Sequence, residues 1–420
     1  MTKPGPDPAS EPPEAPEFPE APEPPEAPEF PVTRPDSRPF DPDEIYARLR
    51  AHAPVSPVRC PAGMDAWLVS RHEDIRSVLT DPRLSSRGAG SMHMLPSYDR
   101  SDPTPGSMIQ LDGEEHARLR RLLIGEFTMR RMEALRPSVQ RITDRHVDAM
   151  LAGSSADLVR DFALPIPSLV ICELLGVPYG DHESFQRDSE VLIGFEADAD
   201  TRDAATRRLV DYLGELIVRR RAEPQDDLLS RLIIRGEATE RPPTATELAT
   251  LGVLLLVAGH ESTANMIALS ALVLMADGEL AAALRAAPDT IGTAVEELLR
   301  YLSVIQFGLL RYATEDVTVG GVEVEAGSWL VAAIPSGNRD EEVFPAPDTV
   351  DLRRPPRAHL AFGFGPHQCI GQQLARIELQ VALTTLLRRV PGLRLAEPLA
   401  QSAFKHNDIV FGLRSMPVLW

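Results

Sequence analysis

The chain is expected to fold as a mainly α-helical protein with small β-sheets, an α+β arrangement in one large unit, and three stretches of sequence carry that expectation. The longest apolar run, residues 248–275, is far too long for a strand and reads as a central helix. A second helical pattern, Leu374, Ile377, Leu379 and Val381, follows directly on the glycine-rich run at 362–371. Strand-like segments are brief, as in Met64-Asp65-Ala66-Trp67-Leu68-Val69, and suit small sheets at the edge of a helical body.

Taken in order, residues 1–38 form a proline-acidic tract in which Glu-Ala-Pro-Glu recurs from Glu14, Glu20 and Glu26, closed each time by Phe-Pro or Pro-Pro. Such a composition buries too little apolar surface to offset ordering, so polyproline II or disorder is expected, with the folded unit at 39–420. The tract has neither the basic nor the apolar region of a signal peptide, and a solvated, dispensable tail is the expectation, Phe18 and Phe30 included. After the strand at 64–69, a short helix spans His72 to Leu79 and stops near Asp81-Pro82. Residues 85–113, rich in Gly, Pro and Ser, read as a loop. Asp112-Gly113-Glu114-Glu115 then opens a helix on which His116 and Arg120, four apart, share a face.

The run at 248–275 is long enough to cross a bilayer. Gly259-His260-Glu261-Ser262-Thr263 interrupts it, however, and a glutamate beside a histidine and two hydroxyls is costly in lipid, which favours a buried core helix over a membrane span. A buried carboxylate next to a hydroxyl is equipped to move protons. Farther on, Glu297 and Arg300 form an i, i+3 pair on one helix face.

Composition narrows the functional classes. A net charge of −19 and a pI near 5.0 argue against nucleic acid and against an anionic membrane surface as partners. Three cysteines, Cys60, Cys172 and Cys369, fit a reducing cytoplasm rather than a disulfide scaffold, and Cys172 lies in an apolar stretch that marks it as core. Cys369 differs. It sits in Phe362-Gly363-Phe364-Gly365-Pro366-His367-Gln368-Cys369-Ile370-Gly371, a glycine-punctuated turn before a helix, where backbone can crowd a flat ligand and amide N–H groups can face the sulfur. A lone thiolate so placed suits axial ligation of haem iron, whereas zinc and iron–sulfur cages need more cysteines.

That run resembles the haem-binding signature of the cytochrome P450 monooxygenases, and further landmarks occur in family order over about nine tenths of the chain. The resemblance implies a cytochrome P450 fold with a single haem domain and a long distal helix, haem b as cofactor, and Cys369 as axial thiolate. Phe362, Gly363, His367 and Gly371 would complete its haem-binding loop. It implies that His116, Arg120, Arg311 and His367 hold the haem propionates. Ala258, Gly259, Glu261, Ser262 and Thr263 match the distal-helix motif, with Glu261 relaying protons and Ser262, where the family usually has threonine, hydrogen-bonding dioxygen. Glu297 and Arg300 match the family's structural ion pair, whose third, basic member is expected at the position of Thr349.

The implied activity is hydroxylation or further oxidation of an apolar small molecule, most in keeping with polyketide or macrolide tailoring. Dioxygen would be the co-substrate, with electrons from a ferredoxin and its NAD(P)H-dependent reductase; a cytoplasmic monomer is expected. Met92, Met94, Leu95, Phe195, Ile305, Phe307 and Val410 are candidates for lining the substrate pocket. A peroxide-using haem enzyme and a haem-binding sensor or carrier are the alternatives, and the intact Glu261-Ser262 pair speaks against both.

Overall fold

The computed structural model describes residues 29–420 except 31, 36, 61–64, 88–105, 182–183, 185–186, 189–190, 193–196, 357, 399 and 401–402. Its organising element is the 32-residue helix Ala245–Ala276. A capping box starts it: Glu247 N donates to Thr244 Oγ1 (3.1 Å) and Thr244 N to Glu247 Oε2 (2.7 Å). Apolar side chains then lie on nearly every side, the pattern of a core helix. Among the described residues this is the one helix long and apolar enough to cross a membrane, and its apolar window is 67% buried inside the fold, as the expectation of a core helix requires.

Helices Pro165–Leu175, Ala199–Ala222 and Gln372–Arg389 pack onto it, and Gln372–Arg389 in turn lies along Met129–Leu151. Beside this helical body stands a five-stranded sheet. Its strands are β1 (Val55–Arg59), β2 (Asp65–Val69), β3 (Leu84–Ser85), β5 (Leu309–Ala313) and β8 (Trp329–Ala332), in the order β1-β2-β8-β5-β3. β2 and β8 run parallel, with Leu68 opposite Val331, and the other pairs are antiparallel. β4 (Ser155–Asp157), β10 (Pro417–Leu419) and β9 (Arg394–Leu395) form a three-stranded sheet centred on β10, and β6 (Val317–Val319) and β7 (Val322–Val324) form a hairpin. Cys60 and Cys172 are buried, and burial pushes their thiols up to about 11 and about 12, which leaves both inert at neutral pH.

One boundary needs correction. The sequence expectation put residues 1–38 in a solvated tail, but Phe30 is 3% exposed and meets Phe307 edge-on, with 6.3 Å between ring centres. Phe30 N also donates to Arg59 O (2.8 Å). Arg34 is buried as well, donating to Phe40 O (2.8 Å) and Ser303 O (3.1 Å) beneath the ring of Phe411. The composition of the tract hid these anchors, because one phenylalanine and one arginine that find partners are enough to fix its end. Residues 1–28, Phe18 among them, lie outside the described part.

Candidate active site

The cysteine loop is shaped by its glycines. Gly363 and Gly365 have φ of +67° and +75°, and a Cβ at Gly365 would lie 2.7 Å from Leu79 O, so no larger residue fits that turn. Cys369 N donates to Phe362 O (2.9 Å), closing the loop, and helix Gln372–Arg389 begins three residues later. The Phe362 ring is held by the Arg376 guanidinium, 4.6 Å from its centre, which also pairs with Glu296 (2.6 Å). Cys369 is exposed although protein crowds it, so its accessible face opens inside the fold and not on the outer surface. Burial pushes its thiol up, while the amides of Gly371 and Gln372 and the charges of Arg120 and Arg376 pull the other way. In the protein alone burial outweighs them, so the thiol stands above its ordinary value; a bound metal would favour its thiolate.

Beside the loop lies a cluster of Arg and His side chains short of acceptors. His116, on the helix Gly113–Ile124, is buried with no partner at Nε2, and its ring lies 4.1 Å from that of His367. Burial first, then the charges of His367 and Arg120, lower its pKa to about 4, so it is neutral at pH 7. Arg311, on β5, is 5% exposed and donates only to the neighbouring Leu310 O (2.7 Å). Arg120 donates to Gln368 O (2.6 Å). His367 Nε2 shares a hydrogen bond with Ser86 Oγ (2.8 Å), and Asp112 Oδ1 lies 3.5 Å away. Arg311 is a buried cation matched only by a carbonyl, and Arg120 is no better served, which calls for an anion. The set fits haem: an accessible cysteine sulfur for the iron, and Arg311, Arg120 and the free Nε2 of His116 for two carboxylates. Arg118 and Arg121, on the same helix as Arg120, are paired with Glu247 and Glu114.

Between Leu248 and Leu274 the central helix is accessible at Thr250, Leu254, Val257, Ala258, Gly259 and Ser262, all but Gly259 along one stripe. Leu254, Val257 and Ser262 are half-buried and Ala258 is exposed, whereas His260, Glu261 and Thr263 are buried. Ser262 Oγ donates back to Ala258 O (3.2 Å). Thr263 was expected beside Ser262 in the catalytic set, but a step of about 100° along the helix carries it off the stripe and into the core. Glu261 also faces away, toward the C-terminal segment, where its Oε1 takes hydrogen bonds from Lys405 Nζ and Asn265 Nδ2 (3.0 Å). Burial pushes this carboxyl up, but the Lys405 ammonium, with smaller help from His260 and Asn265, outweighs it and holds the group below its ordinary pKa. Lys405 is brought there by paired backbone: Lys405 N donates to Gly412 O (2.9 Å), and a Cβ at Gly412 would meet Asn265 Oδ1 at 1.8 Å. Sequence reasoning missed both partners. Asn265 was discoverable, four residues beyond Glu261 on the same helix face; Lys405 is 144 residues away, and only the fold brings it near.

Glu297 and Arg300 form a buried pair, with Arg300 Nε and Nη2 each 2.8 Å from a carboxylate oxygen. Arg300 also donates to Asn338 O (2.9 Å) and Pro347 O (2.8 Å). The third basic member is Arg354, whose Nε lies 3.0 Å from both oxygens of Glu297; Thr349 contributes only its carbonyl, to Arg300 (3.2 Å). Of the pocket candidates, Ile305 and Val410 face each other in a β-bridge. Phe307 is corrected to core, since it packs beneath the five-stranded sheet with Phe30 and Val331. Met92, Met94, Leu95 and Phe195 lie outside the described residues.

An accessible cysteine on a glycine-built turn, a buried cationic cluster and a distal helix with one open stripe together define a haem-thiolate protein. Comparison with known proteins agrees. A Cytochrome P450 family model matches residues 182–390. Cytochrome P450-SU2 of Streptomyces griseolus is 47% identical over 93% of this chain and 96% of its own length. Pentalenic acid synthase of Streptomyces avermitilis is 44% identical over 93% and 98%. Among solved structures, CYP105P1 in complex with filipin I superposes with a TM-score of 0.87 at 42% identity, covering 94% of this chain and 99% of that one. The mycinamicin VIII C21 methyl hydroxylase MycCI of Micromonospora griseorubida gives 0.84 at 39% identity, covering 93% and 100%. The chain belongs to the cytochrome P450 family, and is thus a monooxygenase that binds haem b through a cysteine thiolate.

Proposed function

We propose that this enzyme oxidises an apolar secondary metabolite of polyketide or macrolide type, with its electrons from a ferredoxin and an NAD(P)H-dependent ferredoxin reductase in the cytoplasm, and that it works as a monomer. The observation that carries the substrate class is the open stripe of the central helix. Leu254, Val257 and Ala258 are apolar, and Ala258 and Ser262 are small, which leaves room over the haem for a broad aliphatic skeleton. The names of CYP105P1 with filipin I and of the mycinamicin hydroxylase support that class.

Haem, when bound, supplies dioxygen activation, helped by electron donation from its thiolate. This chain's residues do the rest. Cys369 provides the sulfur, and Arg120, Arg311, His116 and His367 satisfy the propionates. Ser262 presents a hydroxyl to the dioxygen-binding space, and Glu261 brings protons to it from the C-terminal side. The Glu297, Arg300 and Arg354 cluster holds the segment at 338–354 against the helix Ile291–Leu302.

The test uses filipin I and mycinamicin VIII as probes with the purified holoenzyme, a ferredoxin and its reductase. Binding should shift the haem absorption, and NAD(P)H-dependent, dioxygen-dependent hydroxylated products should follow. Turnover supported by hydrogen peroxide alone, equal to that with ferredoxin, would favour the peroxide-using alternative. Failure of both probes, with ready oxidation of small aromatic compounds, would overturn the substrate class.

A further inference from the structure

The carboxylate of Glu261 is shut off from bulk water, yet the reading above requires it to be resupplied with protons at every turnover. Among the described residues its side-chain hydrogen bonds come from Lys405 and Asn265. Asn265 has no ionisable proton to give. Lys405 has one, and it bridges inside and outside: the glutamate side chain is 5% exposed and the lysine 15%. The residue type is itself unusual. Lys3 and Lys405 are the only lysines among the 43 basic residues, the others being arginine. Arginine would hold the carboxylate equally well but keeps its protons, whereas a lysine ammonium is a compact donor that can hand one on.

Resting on the proton-relay role of Glu261, we propose that Lys405 is the port through which solvent protons reach it. A proton passes from Lys405 Nζ to Glu261 Oε1, leaving a neutral amine and a neutral acid. The amine takes a proton from water at its exposed edge, and the acid passes its own toward Ser262. No electrons move in these steps, and each turnover restores the ion pair. Lys405 is therefore a positioning and supply residue that acts through Glu261.

Two measurements test this on the full-length holoenzyme. The first reads the pair without turnover: acylation of amines, followed residue by residue by mass spectrometry, should modify Lys405 at least tenfold more slowly than Lys3. Glu261→Gln should raise the Lys405 rate several-fold with Lys3 unchanged. The second supplies NAD(P)H, a ferredoxin and its reductase without organic substrate, and measures how electrons divide between peroxide (two protons per dioxygen) and water (four). Lys405→Met and Lys405→Arg should both raise the peroxide-to-water ratio at least threefold, at full haem content and with an unaltered reduced carbon monoxide spectrum. Restoration by arginine would make Lys405 a mere clamp and overturn the port, as would a wild-type ratio in Lys405→Met or an acylation rate indifferent to Glu261→Gln. The same ratio in Glu261→Gln separates the two levels. If it stays at the wild-type value, the relay reading itself has failed; if it rises while Lys405→Met does not, the port alone has failed.

Discussion

At the scale of single residues, Ser262 is the most informative position. Its hydroxyl lies on the open stripe, while that of Thr263 is buried, so Ser262 is the hydroxyl available to the proposed relay. Ser262→Ala is expected to keep the fold and the haem while diverting electrons to peroxide, measured as peroxide formed per NAD(P)H consumed. Ser262→Thr should be tolerated, since the added methyl restricts χ1 and keeps the hydroxyl. Equal peroxide yields in wild type and alanine variant would place proton delivery elsewhere. Cys369, Glu261 and Ser262 could be singled out in sequence because each sits in a compact local pattern. Lys405 and Arg354 were not, because their roles depend on chain segments that meet only after folding.

At the scale of elements, the buried cluster of Glu297, Arg300 and Arg354 ties the helix Ile291–Leu302 to the irregular segment after β8. Arg300→Ala removes the partner that also caps three backbone carbonyls and leaves Glu297 short of compensation. A loss of about 3–5 kcal/mol in denaturant unfolding is expected, as for other broken buried pairs. Arg354→Ala removes the less buried partner and spares the Arg300 fork, so about 1–3 kcal/mol is expected. A larger loss in Arg354→Ala than in Arg300→Ala would contradict this ranking. Helix existence was readable from apolar periodicity along 248–275 and 372–389. The pairing of β2 with β8, some 260 residues apart in sequence, was not, because strand partners leave no local mark.

At the scale of the whole molecule, the proposed haem site draws on distant segments: His116 and Arg120 from the helix Gly113–Ile124, the stripe of the central helix, Arg311 from β5 and the cysteine loop. The fold begins earlier than composition suggests. Deleting residues 1–28 should leave unfolding and haem content unchanged, whereas deletion through Pro31 removes Phe30 from its contact with Phe307 and should cost about 3 kcal/mol. Equal stability of the two truncations would return Phe30 to the tail. The account as a whole stands on Cys369 as the haem ligand, and the reduced carbon monoxide adduct tests that directly. Wild type, Cys60→Ala and Cys172→Ser should all show the strongly red-shifted Soret band of thiolate ligation, and Cys369→Ala should lose it together with monooxygenation. A Cys369→Ala protein that keeps the band, or its loss in either of the other two variants, would contradict the assignment.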